Sequence, residues 1–374
     1  MIYKKINYKF LIPIIILAII SIISIYSASI YISPVQGNQA LKQFIWYIIG
    51  FILVIVLKRL KNNYLYRHTK FLYILGNISL LGLLIFVEPI NGSKCWYQIP
   101  GIGSIQPSEF MKIFIMLMLA TQINEFRNTY KRPDIKDEFI FILKTFIIVL
   151  IPSVLTFLQP DTGSVIIYFV IYIAMLFTSG IRIRWFIIAF FILLILLSIT
   201  LGLYFFNKDL FIKIYGSSIF YRLDRIFDWQ KGSGLQLENA LASIGSAYYF
   251  GHGFNNTPVY FPEASTDFIF AVYASNFGLI GVILLLVVIM YLDINIILLA
   301  RRKILKTDKY ILSGILGMLL FQQIQNIGMT VGLFPITGIT LPFVSYGGSS
   351  LLSYMLIFGI IFNISNEKNR KYNY

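Results

Sequence analysis

Apolar runs about 20 residues long recur along nearly the whole chain, separated by short basic loops. That pattern leaves few folds other than a bundle of membrane-crossing helices. A helix rising 1.5 Å per residue needs about 20 apolar residues to cross the hydrocarbon layer. About ten such runs can be read: 10–32, 43–57, 71–87, 108–123, 138–157, 162–180, 184–206, 266–298, 310–332 and 345–365. The second and fourth are short and are expected to be broken or tilted. The eighth is long for one crossing and is expected to project beyond the bilayer. Lipid cannot hydrogen-bond the backbone, so each span must satisfy its own amides, and the expected fold is an all-α polytopic bundle. Composition agrees: 13% of the 374 residues are charged and the mean hydropathy is +0.78. Soluble domains carry roughly a quarter charged residues. Aromatic residues, at 17%, have room in the interfacial belts at many helix ends.

The net charge of +15 points to an anionic membrane surface rather than to nucleic acid, because the basic residues sit mostly in short loops between spans. Most of them fall on one side: Lys4, Lys5 and Lys9, the loops 58–70, 127–136, 182–184 and 301–309, and Lys368, Arg370 and Lys371. Lys42, Lys94, Lys208, Lys213, Arg222, Arg225 and Lys231 lie on the other. The positive-inside rule then makes both termini cytoplasmic. The first run shows no clear small-residue cleavage site, so it reads as an uncleaved span. The lone cysteine, Cys95, excludes an internal disulfide and a thiolate metal cluster. His68 and His252 fall on opposite sides of the membrane and cannot share a metal. No Walker or dinucleotide motif appears, so nucleotide hydrolysis is not the energy source.

The groups fit for chemistry gather on the outer side. In Gln106-Pro107-Ser108-Glu109, Pro107 opens a helix, and Glu109 and Lys112, three apart, share its face. Lys112 lies within the bilayer, where an ammonium needs a partner or a polar cavity. The pair reads either as a structural ion pair or as a cavity wall. In Gln159-Pro160-Asp161-Thr162-Gly163, Asp161 begins the next span, as a helix cap or as a cavity carboxylate. The long segment 207–265, too short and irregular for a separate domain, leads into Pro262-Glu263-Ala264-Ser265-Thr266-Asp267. A carboxylate at that apolar boundary has its proton affinity raised, which suits a general base; capping of the next helix by Thr266 or Asp267 is the alternative. Between Gly338 and Ser350, the run Ser345-Tyr346-Gly347-Gly348-Ser349 makes a tight turn. It reads as a phosphate-binding array of backbone N–H groups or as a close helix packing point.

Taken in order, these motifs resemble the SEDS family, whose members include RodA, FtsW and SpoVE. Tyr26-Ser27-Ala28-Ser29, Gly92 to Trp96, Ile244-Gly245-Ser246, Gly251-His252-Gly253, Gln325-Asn326-Ile327-Gly328-Met329 and Leu341 to Ser350 extend the likeness over nearly the whole chain. The resemblance implies a single ten-helix transmembrane domain over residues 1–374, with its long external loop at about 207–265. It implies a peptidoglycan glycosyltransferase that polymerises lipid II, with a class B penicillin-binding protein and other elongation or division proteins as partners. The segment after the long loop matches the family's essential acidic residue at Asp267. The Gln159 motif and the run from Gln325 to Gly338 are similar to RodA, an elongation and cell-shape enzyme. A division polymerase like FtsW is the alternative, and a lipid II flippase or a non-catalytic scaffold are the rivals from other classes. Ionisable groups that sit mainly at the outer edge favour surface chemistry over transport through the bilayer.

The implied mechanism makes Asp267 the base, with Lys112 positioning Glu109. Lys94, Arg222 and Arg225 are candidates to stabilise the leaving pyrophosphate, with a divalent cation, Mg2+ or Mn2+, left open. Asp161, Trp96, Glu263, Ser345, Gly347 and Gly348 complete the expected substrate-binding or supporting set. The family's arginine after Gly92 is replaced by Cys95, between Lys94 and Trp96. Asn239-Ala240, Ser275-Asn276 and Ala247-Tyr248 also depart from the family pattern.

Overall fold

The computed structural model describes residues 7–29, 38–89, 92–99, 103–217, 220, 235–302 and 305–366. All the expected spans are helices: α1 (Tyr8–Ala28), α2 (Gln39–Leu60), α4 (Thr69–Phe86), α5 (Pro107–Thr129), α6 (Ile135–Leu158), α7 (Thr162–Ser179), α8 (Ile183–Phe206), α11 (Ile269–Ala300), α12 (Lys306–Thr330) and α13 (Gly348–Asn366). Short helices α3 (Asn62–Arg67), α9 (Lys208–Tyr215) and α10 (Leu235–Gly245) lie between them, with a hairpin of β1 (Tyr97–Ile99) and β2 (Gly103–Ile105). The second and fourth spans, expected to be short, are full-length helices of 22 and 23 residues. Their charged ends had hidden the outer turns.

Among the described residues, nine helices are long and apolar enough to cross a membrane. The tenth long helix, α5, falls short on apolarity because it carries Glu109, Lys112, Glu125 and Arg127. It tolerates them because it is central: α4, α6, α7, α12 and α13 pack around it, and it meets little lipid. Helix α8 is the opposite case. It has the highest mean hydropathy of the set, 3.0, and buries no residue. A helix apolar all round with no protein cover is held by lipid.

Helix α11 accounts for its 32 residues by breaking rather than by projecting as one rod. Gly278 adopts φ +60°, and the loop ahead of α11 fills the gap. His252 N–H donates to Ser275 O (2.9 Å) and Gly253 N–H to Asn276 O (3.1 Å), while Leu279 and Ile280 N–H donate to Tyr248 O (3.0 Å) and Tyr249 O (3.1 Å). The break therefore leaves these backbone groups paired, as an apolar setting demands. The two backbones touch at glycines: a Cβ on Gly251 would lie 2.3 Å from Asn276 O, and one on Gly278 would lie 2.4 Å from Gly251 N. Gly251→Ala is expected to cost about 2–4 kcal/mol, from a left-handed φ and a backbone clash. A drop of several degrees in the thermal midpoint of the detergent-solubilised protein checks this, and an unchanged midpoint refutes it.

Upstream of the break, Ile269 to Asn276 are all buried. The chain thus plunges into the bundle immediately after Asp267.

Candidate active site

Four segments converge at one end of the helix bundle around a cavity of about 580 Å³. The first is the start of α5. Pro107 occupies the first helical turn, where its missing N–H costs nothing. Glu109 lines the cavity, and behind it Lys112 is fully buried with Nζ 2.6 Å from Glu109 Oε2. Ser353 Oγ donates to the same carboxylate (3.2 Å), and the Lys112 ammonium stands 5.5 Å over the Tyr354 ring. Lys112 does not line the cavity; its ammonium is held against Glu109 behind the wall.

Asp161 is both cap and cavity wall. Oδ1 accepts from Ser164 N–H (3.0 Å), and Oδ2 accepts from Gln106 Nε2 and Ser108 Oγ (both 2.9 Å). With these bonds it ties α7 to α5 and has little capacity left for substrate. Cys95 also lines the cavity, with Sγ donating to Gln159 O at 2.9 Å. Burial, and to a lesser degree Asp161, pushes its thiol up to about 12, so it stays protonated. Trp96 lines the cavity beside it. Lys94 does not: its Nζ donates to Leu84 O (3.1 Å) in the last turn of α4, a position where a cation meets the negative helix end. Lys94 therefore stands outside the cavity lining, at the end of α4. Arg222 and Arg225 lie outside the described residues.

The third segment carries Asp267, which is partly buried at the cavity wall and is not a helix cap; the N-cap of α11 is Phe268. No described residue donates to its carboxylate, so its lone pairs remain open to the cavity. Burial, with a smaller contribution from Glu263, raises this carboxyl from 3.8 to about 7. Glu263 itself accepts from Thr266 Oγ1 at 2.7 Å. Gly338 lies against Asp267: a Cβ there would sit 3.5 Å from Oδ2.

The backbone around Asp267 is held by the fourth segment, residues 338–350, together with α12. Three consecutive carbonyls each receive a bond. Tyr346 N–H donates to Ser265 O (2.8 Å), Ser345 Oγ to Thr266 O (2.6 Å) and Asn326 Nδ2 to Asp267 O (2.8 Å). Asn326 also donates to Ile339 O at 2.8 Å, so one buried amide joins both sides of the site. Ser345 thus holds the Asp267 segment from behind instead of lining the cavity. Gly347 and Gly348 do line it. However, Gly347 N–H is directed at Gln43 Oε1 (3.3 Å), and a Cβ on Gly348 would meet the Trp46 indole at 2.6 Å. Between the two readings of this turn, close packing prevails over a phosphate cradle.

The cavity also has Gln322 and Thr340 in its lining, which the motif reading passed over. A signal was present: Gln322, Gln323, Gln325 and Asn326 interrupt an apolar span, and polar side chains at membrane depth face inward. The titratable lining, Glu109, Asp161, Glu263 and Asp267, is acidic, with no lysine or arginine among the described lining residues. It suits a neutral polyhydroxylated group better than an anion.

Comparison with known proteins agrees with this picture. The profile of the cell cycle protein family of FtsW, RodA and SpoVE matches residues 8–370. The chain is 31% identical to the probable peptidoglycan glycosyltransferase FtsW of Lactococcus lactis, over 98% of this chain and 93% of that protein. It is 34% identical to the protein of that name from Coxiella burnetii, over 93% of each. Its fold matches RodA, the rod shape determining protein of Thermus thermophilus, with TM-score 0.70 at 23% identity over 99% of both chains. A chain from a peptidoglycan synthase complex that couples polymerization and crosslinking superposes with TM-score 0.77 at 23% identity, over 96% of this chain and 97% of that one. With a profile match along almost its whole length and relatives above 30% identity, this multi-pass membrane protein belongs to the FtsW, RodA and SpoVE family of cell cycle proteins.

Proposed function

We propose that the protein is an inverting peptidoglycan glycosyltransferase that polymerises lipid II at the outer face of the bacterial cytoplasmic membrane. The observation that carries this reading is Asp267: a carboxylate raised to about 7, open to a cavity at the helix ends. A base poised near the working pH is efficient in proton abstraction. The acceptor's GlcNAc 4-hydroxyl gives its proton to Asp267 as its oxygen bonds to the anomeric carbon of the donor. The bond from that carbon to the phosphate oxygen breaks, and undecaprenyl pyrophosphate leaves from the opposite face. One carboxylate serves, because the leaving group needs charge stabilisation more than a proton. The acidic lining receives the sugars, and the pyrophosphate sits nearer the headgroup level.

A hard divalent cation usually takes one or two carboxylates plus substrate phosphates. Among the described residues no group of three His, Cys, Asp or Glu side chains is arranged to hold one. Asp161 and Glu263 are moreover engaged by protein donors. No step here passes through a metal.

The basic loops support cytoplasmic termini, and the transpeptidase partner on this reading is a class B penicillin-binding protein. We propose a role in elongation, on the motifs similar to RodA. The FtsW name of the curated relatives favours division as the second reading. Depletion separates them: rounded cells mark elongation and filaments mark division.

The direct test is glycan synthesis from lipid II in detergent by the purified protein with its partner. Polymer is expected with or without a β-lactam, which blocks crosslinking and spares strand growth. Lipid II that crosses vesicle membranes without ever forming polymer would identify a flippase instead. Polymer that forms only through a separate glycosyltransferase would identify a scaffold.

A further inference from the structure

We propose, resting on the polymerase reading above, that Gln322 and Thr340 form a subsite for the acetamido group of the acceptor sugar. Gln322 is 1% exposed yet lines the cavity, and its Oε1 has no protein partner. Its Nε2 donates to Tyr354 Oη at 2.8 Å. The same hydroxyl lies 3.3 Å from Thr340 Oγ1, which also lines the cavity. Tyr354 is itself buried, tilted against Phe343 and beneath Lys112, so the three groups form a fixed chain.

Proton counting sets what this chain offers. Tyr354 accepts from Gln322, so its own proton points to Thr340. The Thr340 hydroxyl then accepts from Tyr354 and has its proton for the cavity. Gln322 offers a carbonyl acceptor, and Thr340 offers a donor. If the amide is turned over, every bond reverses: Gln322 offers a donor and Thr340 an acceptor. In both states the floor presents one donor and one acceptor side by side. A secondary amide, with its N–H and C=O on separate atoms, engages both groups at once; a single hydroxyl must serve both from one atom, and a fully ionised phosphate only accepts. Leaving a buried amide oxygen unpaired is costly, which favours an occupant that donates to it.

Position selects the acceptor sugar. Gln322 lies four residues, about one helical turn of 5.4 Å, below Asn326, the residue that holds the Asp267 carbonyl. On a hexosamine the C2 acetamido group and the C4 hydroxyl are separated by a similar distance across the ring. A sugar with its 4-hydroxyl at Asp267 therefore carries its acetamido group toward Gln322 and Thr340.

The test uses the full-length protein with Gln322→Leu and Thr340→Val, and three substrates. These are lipid II, an analogue with a hydroxyl replacing the acetamido group on the terminal (acceptor) sugar, and one with that replacement on the sugar beside the pyrophosphate. On lipid II each variant is expected to lose about 10- to 100-fold in kcat/KM. On the terminal-sugar analogue the wild type falls by a comparable factor and the variants lose no more than about 2-fold further. On the other analogue the full loss persists. Equal losses by the variants on all three substrates, as a merely structural defect would give, overturn the proposal, and so does wild-type activity of both variants on lipid II. Absence of polymer from wild-type protein and lipid II refutes the polymerase reading itself, a separate outcome.

Discussion

Asp267→Asn is expected to slow lipid II polymerisation by about 10²- to 10⁴-fold, the usual contribution of a positioned general base. The amide keeps the shape of the side chain and cannot take the acceptor's proton. Folding is expected to survive, because the bonds that hold this segment go to the backbone carbonyls of Ser265, Thr266 and Asp267, not to the carboxylate. Linkage supports the same expectation. The folded carboxyl is raised to about 7 from 3.8, so the folded protein binds the extra proton. Stability therefore falls as pH rises from 3.8 to about 7 and is flat above it. The variant is relieved of that loss and should melt no lower than the wild type at neutral pH. Activity runs the other way: wild-type kcat/KM should rise with pH through about 7 and level off, as the base ionises. Residual activity in the variant should show no such step. Polymerisation by Asp267→Asn at the wild-type rate would remove Asp267 from the base role.

The carboxylate's place could be read from the chain because two local signals coincide there: an apolar run begins, and a long polar segment ends. The helices were legible for a similar reason, since a lipid-facing helix must be apolar for a fixed length. Features set by contacts between distant segments were not legible. Gly278 is one glycine inside an apolar run, and only the approach of the Gly251 loop turns it into a break. Lys94 stands next to Cys95 and Trp96 in sequence, but its long side chain reaches back to the carbonyl of Leu84. Asp161 is a cap, one of the two roles its sequence position allows, and its tie to Gln106 and Ser108 across helices explains why it also borders the cavity. The glycine pair at 347–348 carries no mark of its partner, Trp46, three hundred residues away, so sequence alone leaves anion binding open beside packing. Gln322 and Asn326 did carry a signal, polarity at membrane depth, but their roles depend on which carbonyls and hydroxyls face them.

Lys112→Met is expected to destabilise the protein by about 3–5 kcal/mol, the cost of leaving a buried charge without its partner. The ammonium is fully buried, and its contacts are Glu109 Oε2 at 2.6 Å and the face of Tyr354 at 5.5 Å. Removing it leaves the Glu109 carboxylate, 8% exposed, with Ser353 as its remaining partner. Two groups share the consequences. Glu109 forms part of the cavity wall, so activity falls as it turns away. Tyr354 loses the cation above its ring and with it part of what fixes the hydroxyl between Gln322 and Thr340. The double variant Glu109→Gln, Lys112→Met removes both charges in a volume-conserving way, and it should recover most of the thermal stability lost by Lys112→Met alone. It should recover little activity, because the carboxylate at the wall is gone. If the double variant recovers polymerisation as fully as stability, the pair is only a structural bridge within α5, and the cavity works without a charge at Glu109.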